Sequence, residues 1–200
     1  MKGAAEQGFS LAELLIAALV SLVLAASVFG LMNRLQRAAG YQTEVQGVLT
    51  LAMTGMETVE RILLQAGNDP LQAGFPALVI AGPSELRVRA DLTGSARGAP
   101  DQGDPDGDTE DSGEDITIRY NPNTRSLEII PQGGVPQPVA TGLSGFAMQY
   151  FDGAGAETAA GEDVRAVRIT LAGTSPVADP QTGRPFSMQV SSYVGLAAKR

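Results

Sequence analysis

The chain of 200 residues contains no cysteine, no histidine and no tryptophan. Without cysteine, no disulfide framework and no thiolate chemistry can be built. The lack of histidine removes the commonest general base and metal ligand near neutral pH, and most hydrolytic mechanisms with it. Aromatic residues are scarce, at 6 Phe and 4 Tyr, so a core must rest on Val, Ile, Leu, Ala and Met. Basic residues are outnumbered, 14 to 22, and that balance suggests no nucleic-acid partner. Serine and threonine have no histidine to activate them, while Lys2 and Lys199 lie at the two extremities. The expectation is a protein that is not an enzyme, with room for one modest globular domain.

What the chain does have is a long apolar run. From Leu14 to Asn33 no residue is charged, and Leu, Ile, Val, Ala, Phe and Met fill most positions. About 20 residues at 1.5 Å each span the roughly 30 Å core of a bilayer. Glu13 stands at the opening of this run, and an acidic side chain at hydrocarbon depth costs about 2–3 kcal/mol. A carboxylate kept there invites a search for its partner. Cleavage after Gly8 would supply one, a new α-amino group on Phe9.

The helical pattern continues beyond Arg34. Leu35, Ala38, Ala39, Val45, Val48, Leu49, Ala52, Met56, Val59, Ile62, Leu63 and Ala66 recur mostly at steps of three and four. Arg37, Gln42, Glu44, Gln46, Glu57, Glu60 and Arg61 form the opposite, polar face. One helix is expected over residues 9–66, apolar all round in its first half and amphipathic in its second. Gly30, Gly40, Gly47 and Gly55 each cost about 1 kcal/mol of helix propensity, which predicts local bends or melting. Gly67-Asn68-Asp69-Pro70 is a stop signal. Past it the character changes to strands, expected at 77–81, 85–90, 116–120, 127–130, 146–151, 164–171 and 186–194. Asn121-Pro122-Asn123 marks a hairpin turn. The fold class is α+β, with the amphipathic half of the helix laid on one face of an antiparallel sheet. Residues 1–8 read as a leader, 9–33 as a membrane-spanning or filament-core helix, 34–67 as the amphipathic helix and 68–200 as a β-rich globular domain.

An ordinary secretory signal with a cut after Val23-Leu24-Ala25 is the first competing reading. Glu13 at the start of the apolar run, the single base in the leader and the unbroken helical pattern all oppose it. A permanent single-pass anchor is the second. Charge counting gives it no clear orientation, because Lys2 and Glu6 cancel while Arg34 and Arg37 follow the span.

Gly8-Phe9-Ser10-Leu11-Ala12-Glu13, with its short polar leader and long apolar helix, resembles the class III signal of type IV pilins and type II secretion pseudopilins. The resemblance implies a type IV pilin-like fold, cleavage after Gly8 by the prepilin peptidase, methylation of Phe9 and a role for Glu13 in assembly. Glu13 is fifth from Phe9, as in that family. Gly30 falls where many major pilins carry a proline. Ala38-Ala39-Gly40-Tyr41, the strand Gly145-Phe146-Ala147-Met148-Gln149-Tyr150 and the strand Val164-Arg165-Ala166-Val167-Arg168-Ile169-Thr170-Leu171 are similar to the PilW-like minor pilins and J-type pseudopilins. The implied partners are other minor pilins or pseudopilins, the major pilin, the prepilin peptidase and the inner-membrane assembly platform. The implied location is the Gram-negative inner membrane, crossed once with the C-terminal domain periplasmic, and then the pilus or pseudopilus. A membrane-tethered calcium-binding or adhesion module that never polymerises is the alternative from another class.

The acidity is concentrated in one place. Asp101, Asp104, Asp106, Asp108, Glu110, Asp111, Glu114 and Asp115 fall within residues 101–115 with no base among them, and equal the whole net charge of −8. Carboxylates at alternate positions in a turn-forming stretch suit a hard, oxygen-seeking cation such as calcium. Thr109 stands where an EF-hand loop starting at Asp104 requires glycine, so this is not an EF-hand. The expected ligands are Asp104, Asp106 and Asp108, with Glu110, Asp111 or Asp115 closing the shell and Gly107 making the turn. The plainer alternative is a solvated, self-repelling loop between two strands.

Overall fold

The apolar periodicity of residues 38–66 decides where the helix docks. In the computed structural model, which describes residues 10–94, 103–159 and 161–196, a single helix α1 runs from Leu11 to Gln65. Every residue from 10 to 37 is exposed. From Ala38 on, the inward positions are 38, 41, 45, 48, 49, 52, 55, 56, 59, 62, 63 and 66, with Thr58 and Glu60 also half-buried. These steps of three, four and seven are one stripe of an α-helix. The helix passes unbroken through Gly30, Gly40 and Gly47, so the expected local melting is absent. It stops where the sequence says it should, with Ala66 leaving helical geometry and Gly67 at φ 73°.

Eight strands follow: β1 (Leu78–Ala81), β2 (Glu85–Arg89), β3 (Asp115–Asn121), β4 (Ser126–Pro131), β5 (Gln137–Ala140), β6 (Leu143–Phe151), β7 (Ala166–Ala178) and β8 (Pro185–Gly195). They make two antiparallel sheets, not the single one expected: β1-β2-β3-β4-β5 and β6-β7-β8. The docked half of α1 lies against both, touching β7, β8, β5 and β2. Its Ala52, Met56, Val59, Ile62 and Leu63 join Leu86, Ile118, Leu127, Val167, Ile169 and Leu171 in one continuous core.

Polar groups stitch the two sheets together. Tyr150 of β6 donates its hydroxyl to the Gly82 carbonyl at 2.6 Å, and Met148 N–H reaches the Pro83 carbonyl at 2.8 Å. Burial pushes the Tyr150 phenol well above its ordinary pKa. At the other end of the seam, Arg125 Nε and Tyr120 Oη both donate to the Leu143 carbonyl, at 3.0 and 3.2 Å.

Gly55 sets how closely helix and sheet approach. A Cβ there would sit 3.0 Å from Ala140 Cβ and 3.5 Å from Leu127 Cδ2. Alanine would gain helix propensity against a tight contact, but a leucine has nowhere to go. Gly55→Leu is expected to destabilise the domain by about 3 kcal/mol, the upper end of ordinary overpacking. A thermal midpoint equal to the parent's would show that α1 is not clamped at this point.

Candidate functional site

The helix start is built by a local exchange of hydrogen bonds. Ser10 Oγ accepts the Glu13 N–H at 3.2 Å, and Glu13 Oε2 accepts the Ser10 N–H at 2.9 Å. This capping box satisfies two of the amides that a helix start leaves open, and it places a carboxylate at the positive end of the helix dipole. Glu13 therefore has a structural task within its own chain, which the sequence reading did not assign. The signal was present: Ser10 and Glu13 stand at S-x-x-E spacing ahead of an apolar run. Gly8 and Phe9, the expected cleavage and methylation residues, lie outside the described residues.

Behind the cap comes the apolar half of α1. Leu22 and Phe29 are 71% and 72% exposed, and Leu14, Leu15, Ile16, Leu19, Leu24 and Leu31 are exposed on all sides of the rod. A span of this helix is long and apolar enough to cross a membrane, with none of that span buried in the fold. An apolar surface of this extent needs lipid or protein to cover it.

The acidic segment, expected as a loop, forms the β2–β3 connection and folds back on the end of α1. Gly67 N–H bonds the Arg89 carbonyl at 2.7 Å, Asp91 N–H bonds the Asn68 carbonyl at 2.8 Å, and Asn68 Nδ2 donates to the Asp91 carbonyl at 2.6 Å. Within the connection, Asp106 Oδ1 accepts the Asp108 N–H at 3.2 Å, and Asp108 Oδ1 the Glu110 N–H at 2.9 Å. These are consecutive Asx turns, in which each carboxylate braces the backbone two residues on. Asp104, Asp106, Asp108 and Glu110 are exposed and Asp111 is half-buried. Asp101 lies outside the described residues. Among the described residues no three acidic side chains gather into a metal-holding group.

Asp115 departs from the expected ligand set. It is 2% exposed at the start of β3, opposite Arg89 of β2. Arg87 Nε and Nη2 donate to its two oxygens at 2.6 and 2.7 Å, and Arg89 Nε adds a third bond at 2.8 Å. Strand alternation puts Arg87 and Arg89 on one face of β2, the face to which Asp115 turns. Both its oxygens are engaged, so it closes no shell around a cation. Burial alone would raise its pKa, but the hydrogen bonds and charges of Arg87 and Arg89 outweigh that and hold it below the ordinary carboxylate range.

Asp91 and Glu114 are the residues that sequence reasoning missed as functional candidates. Asp91 carries no motif, and Glu114 was one member of an acidic run. Both are buried in the structure. Glu114 Oε1 accepts the N–H groups of Leu92 and Thr93 at 2.7 and 2.8 Å, and Asp91 Oδ2 accepts the Gly107 N–H at 3.0 Å. Their burial follows from the docking of the connection onto the helix end, which no local pattern announces.

No protein-family profile and no curated protein matches the chain.

Proposed function

We propose that this chain is a minor pilin, a structural subunit for assembly or initiation of a type IV pilus. In this reading it waits in the inner membrane by the apolar half of α1 and is then drawn into a filament. The observation that carries the reading is one uninterrupted helix with two environments. Its first half is apolar and exposed on every side, and its second half is docked into a β-rich domain. A rod of that kind is at home in lipid, and equally in a bundle of the same segments from neighbouring subunits. Glu13 is then placed to meet the Phe9 amino group of an adjacent subunit in a low-dielectric surround. A minor pseudopilin of a type II secretion system is the same reading with a different filament, and the identity of co-purifying subunits separates the two.

Sequencing the N-terminus of the mature protein tests the proposal. N-methyl-Phe9 is the expected result, since only the prepilin peptidase leaves that terminus. An intact N-terminus would replace the reading with a non-polymerising membrane tether. A start near Ala26 would replace it with a secreted protein released by ordinary signal peptidase.

A further inference from the structure

The deepest carboxylates of the β2–β3 connection are not those of the alternating acidic run. Asp91 is 0% exposed and Glu114 1%. Each has one oxygen well used, Asp91 Oδ2 by the Gly107 amide and Glu114 Oε1 by the Leu92 and Thr93 amides. Each has a second oxygen, Asp91 Oδ1 and Glu114 Oε2, that is buried without a hydrogen-bond partner among the described residues. A buried carboxylate oxygen left unmatched is strongly unfavourable, so such groups are normally paired, hydrogen-bonded or bound to a metal.

The described cations of β2 do not answer the need. Arg87 and Arg89 are committed to Asp115. Glu114 lies on the opposite side of the sheet, with Ile62, Gln65, Val88 and Ile116 under the end of α1. Asp91 is tied instead to the acidic connection, through the Gly107 N–H. Its bond to Gly107 fixes the carboxylate against the apex of the acidic connection, next to Asp106. The same apex is packed so tightly on residues 91–94 that a Cβ at Gly94 would collide with the Asp104 carbonyl oxygen. That Cβ would also fall 2.9 Å from Asp106 Cβ and 3.3 Å from Asp106 Cγ. The segment that carries the buried Asp91 carboxylate thus packs, through Gly94 and the Gly107 amide, against the Asp104 carbonyl and the Asp106 side chain.

We infer that a divalent cation of the calcium class binds between residues 91–94 and the apex 104–107. Asp91 Oδ1 is its anchor, and the Asp106 carboxylate and the Asp104 carbonyl oxygen are its next ligands. Glu114 is a positioning residue, holding the 92–93 backbone in place and adding negative charge. Calcium takes six to eight oxygens at about 2.3–2.6 Å in flexible geometry, so water completes the shell. Magnesium demands a near-ideal octahedron and gives up water reluctantly, which disfavours it in a site partly made of backbone. The arrangement differs from the alternating set expected from sequence: Asp91 enters, while Asp108, Glu110 and Asp115 leave. The inference is independent of the filament reading.

The test uses the full-length protein in detergent, stripped with chelator and titrated calorimetrically with calcium chloride and with magnesium chloride at matched ionic strength. Thermal melts are run in parallel. Calcium is expected to bind and to raise the melting midpoint, with no matching rise for magnesium. Asp91→Asn and the solvent-facing Asp106→Asn are each expected to weaken calcium binding at least about tenfold, whereas Asp108→Asn stays within about twofold of the parent. Because Asp106 is exposed, its variant keeps the test decisive if Asp91→Asn does not fold. Absence of calcium binding in the parent chain overturns the inference. So does a parent-like affinity in Asp106→Asn, or a loss confined to Asp108→Asn.

Discussion

Glu13→Gln is expected to insert in the membrane and keep its helix start, yet to enter filaments at least about a hundredfold less than the parent. Glutamine at the third helical position retains an acceptor for the Ser10 amide, so the capping box survives the substitution. What it loses is charge. In the proposed filament the Phe9 amino group of a neighbour would then be buried without its counter-ion. Breaking one side of a buried pair costs about 3–5 kcal/mol, or about two to three and a half decades at about 1.4 kcal/mol each. Glu13→Ala loses the charge and one of the cap's two hydrogen bonds, which adds roughly 1 kcal/mol at the helix end. The measurement is the ratio of subunit in sheared filaments to subunit in membranes. Parent-like incorporation of the glutamine variant, with a defect only in the alanine variant, would show that Glu13 is a helix cap and nothing more.

Asp115→Asn is expected to produce the largest loss of fold stability of any single charge removal, about 3 kcal/mol. That figure is the lower end for a broken buried pair, because the Arg87 and Arg89 side chains are 29% and 26% exposed. The pH dependence has a definite sign. The folded pKa of Asp115 is depressed, so its contribution is complete above the unfolded carboxylate value of about 4 and is lost as pH falls through the folded value. Glu128 acts in the same sense. The Arg119 hydrogen bond at 2.9 Å lowers its pKa, burial opposes this, and Asn121 and Ser126 add further donors. Melting midpoints of the parent should therefore hold from neutral pH to about pH 4 and fall below it. The asparagine variant should start lower and fall less steeply. An acid slope equal to the parent's would remove the Asp115 cluster from the account of acid stability.

Much of the helix was legible because its signals are local and repeat. The inward positions from Ala38 to Ala66 are nearly the apolar set read from spacing, and only Leu35 and Ala39 of that set prove exposed. The strands were legible where alternation is strong, as at Leu86 and Val88, which are buried while Glu85, Arg87 and Arg89 are only partly so. β5 escaped notice because Pro136 and Pro138 read as loop. Proline is tolerated there because β5 is an edge strand, paired only with β4. β7 was read as ending near Leu171 but runs to Ala178. Ser175 braces that extension: its hydroxyl donates to the Val177 carbonyl at 2.7 Å and accepts the Phe186 N–H at 2.9 Å, within the irregular pairing between Thr174 and Ala178. The division into two sheets could not be read at all, since it depends on which strand ends meet in space. The acidic residues were visible as a cluster, but which of them turn inward is decided by the register of Arg89 against Asp115 and by the docking of residues 91–94. Those are relations between distant segments.

α1 carries its exposed and docked halves on one unbroken helix, and that makes angle a matter of counting. An α-helix advances by about 100° with each residue. The azimuth at which the two sheets leave the rod is therefore fixed by the number of residues between Glu13 and the docked stripe that begins at Ala38. Whatever seats the N-terminal end also aims the globular domain. The acidic connection and the free edges of β1, β5, β6 and β8 all point in directions already written into the length of the rod.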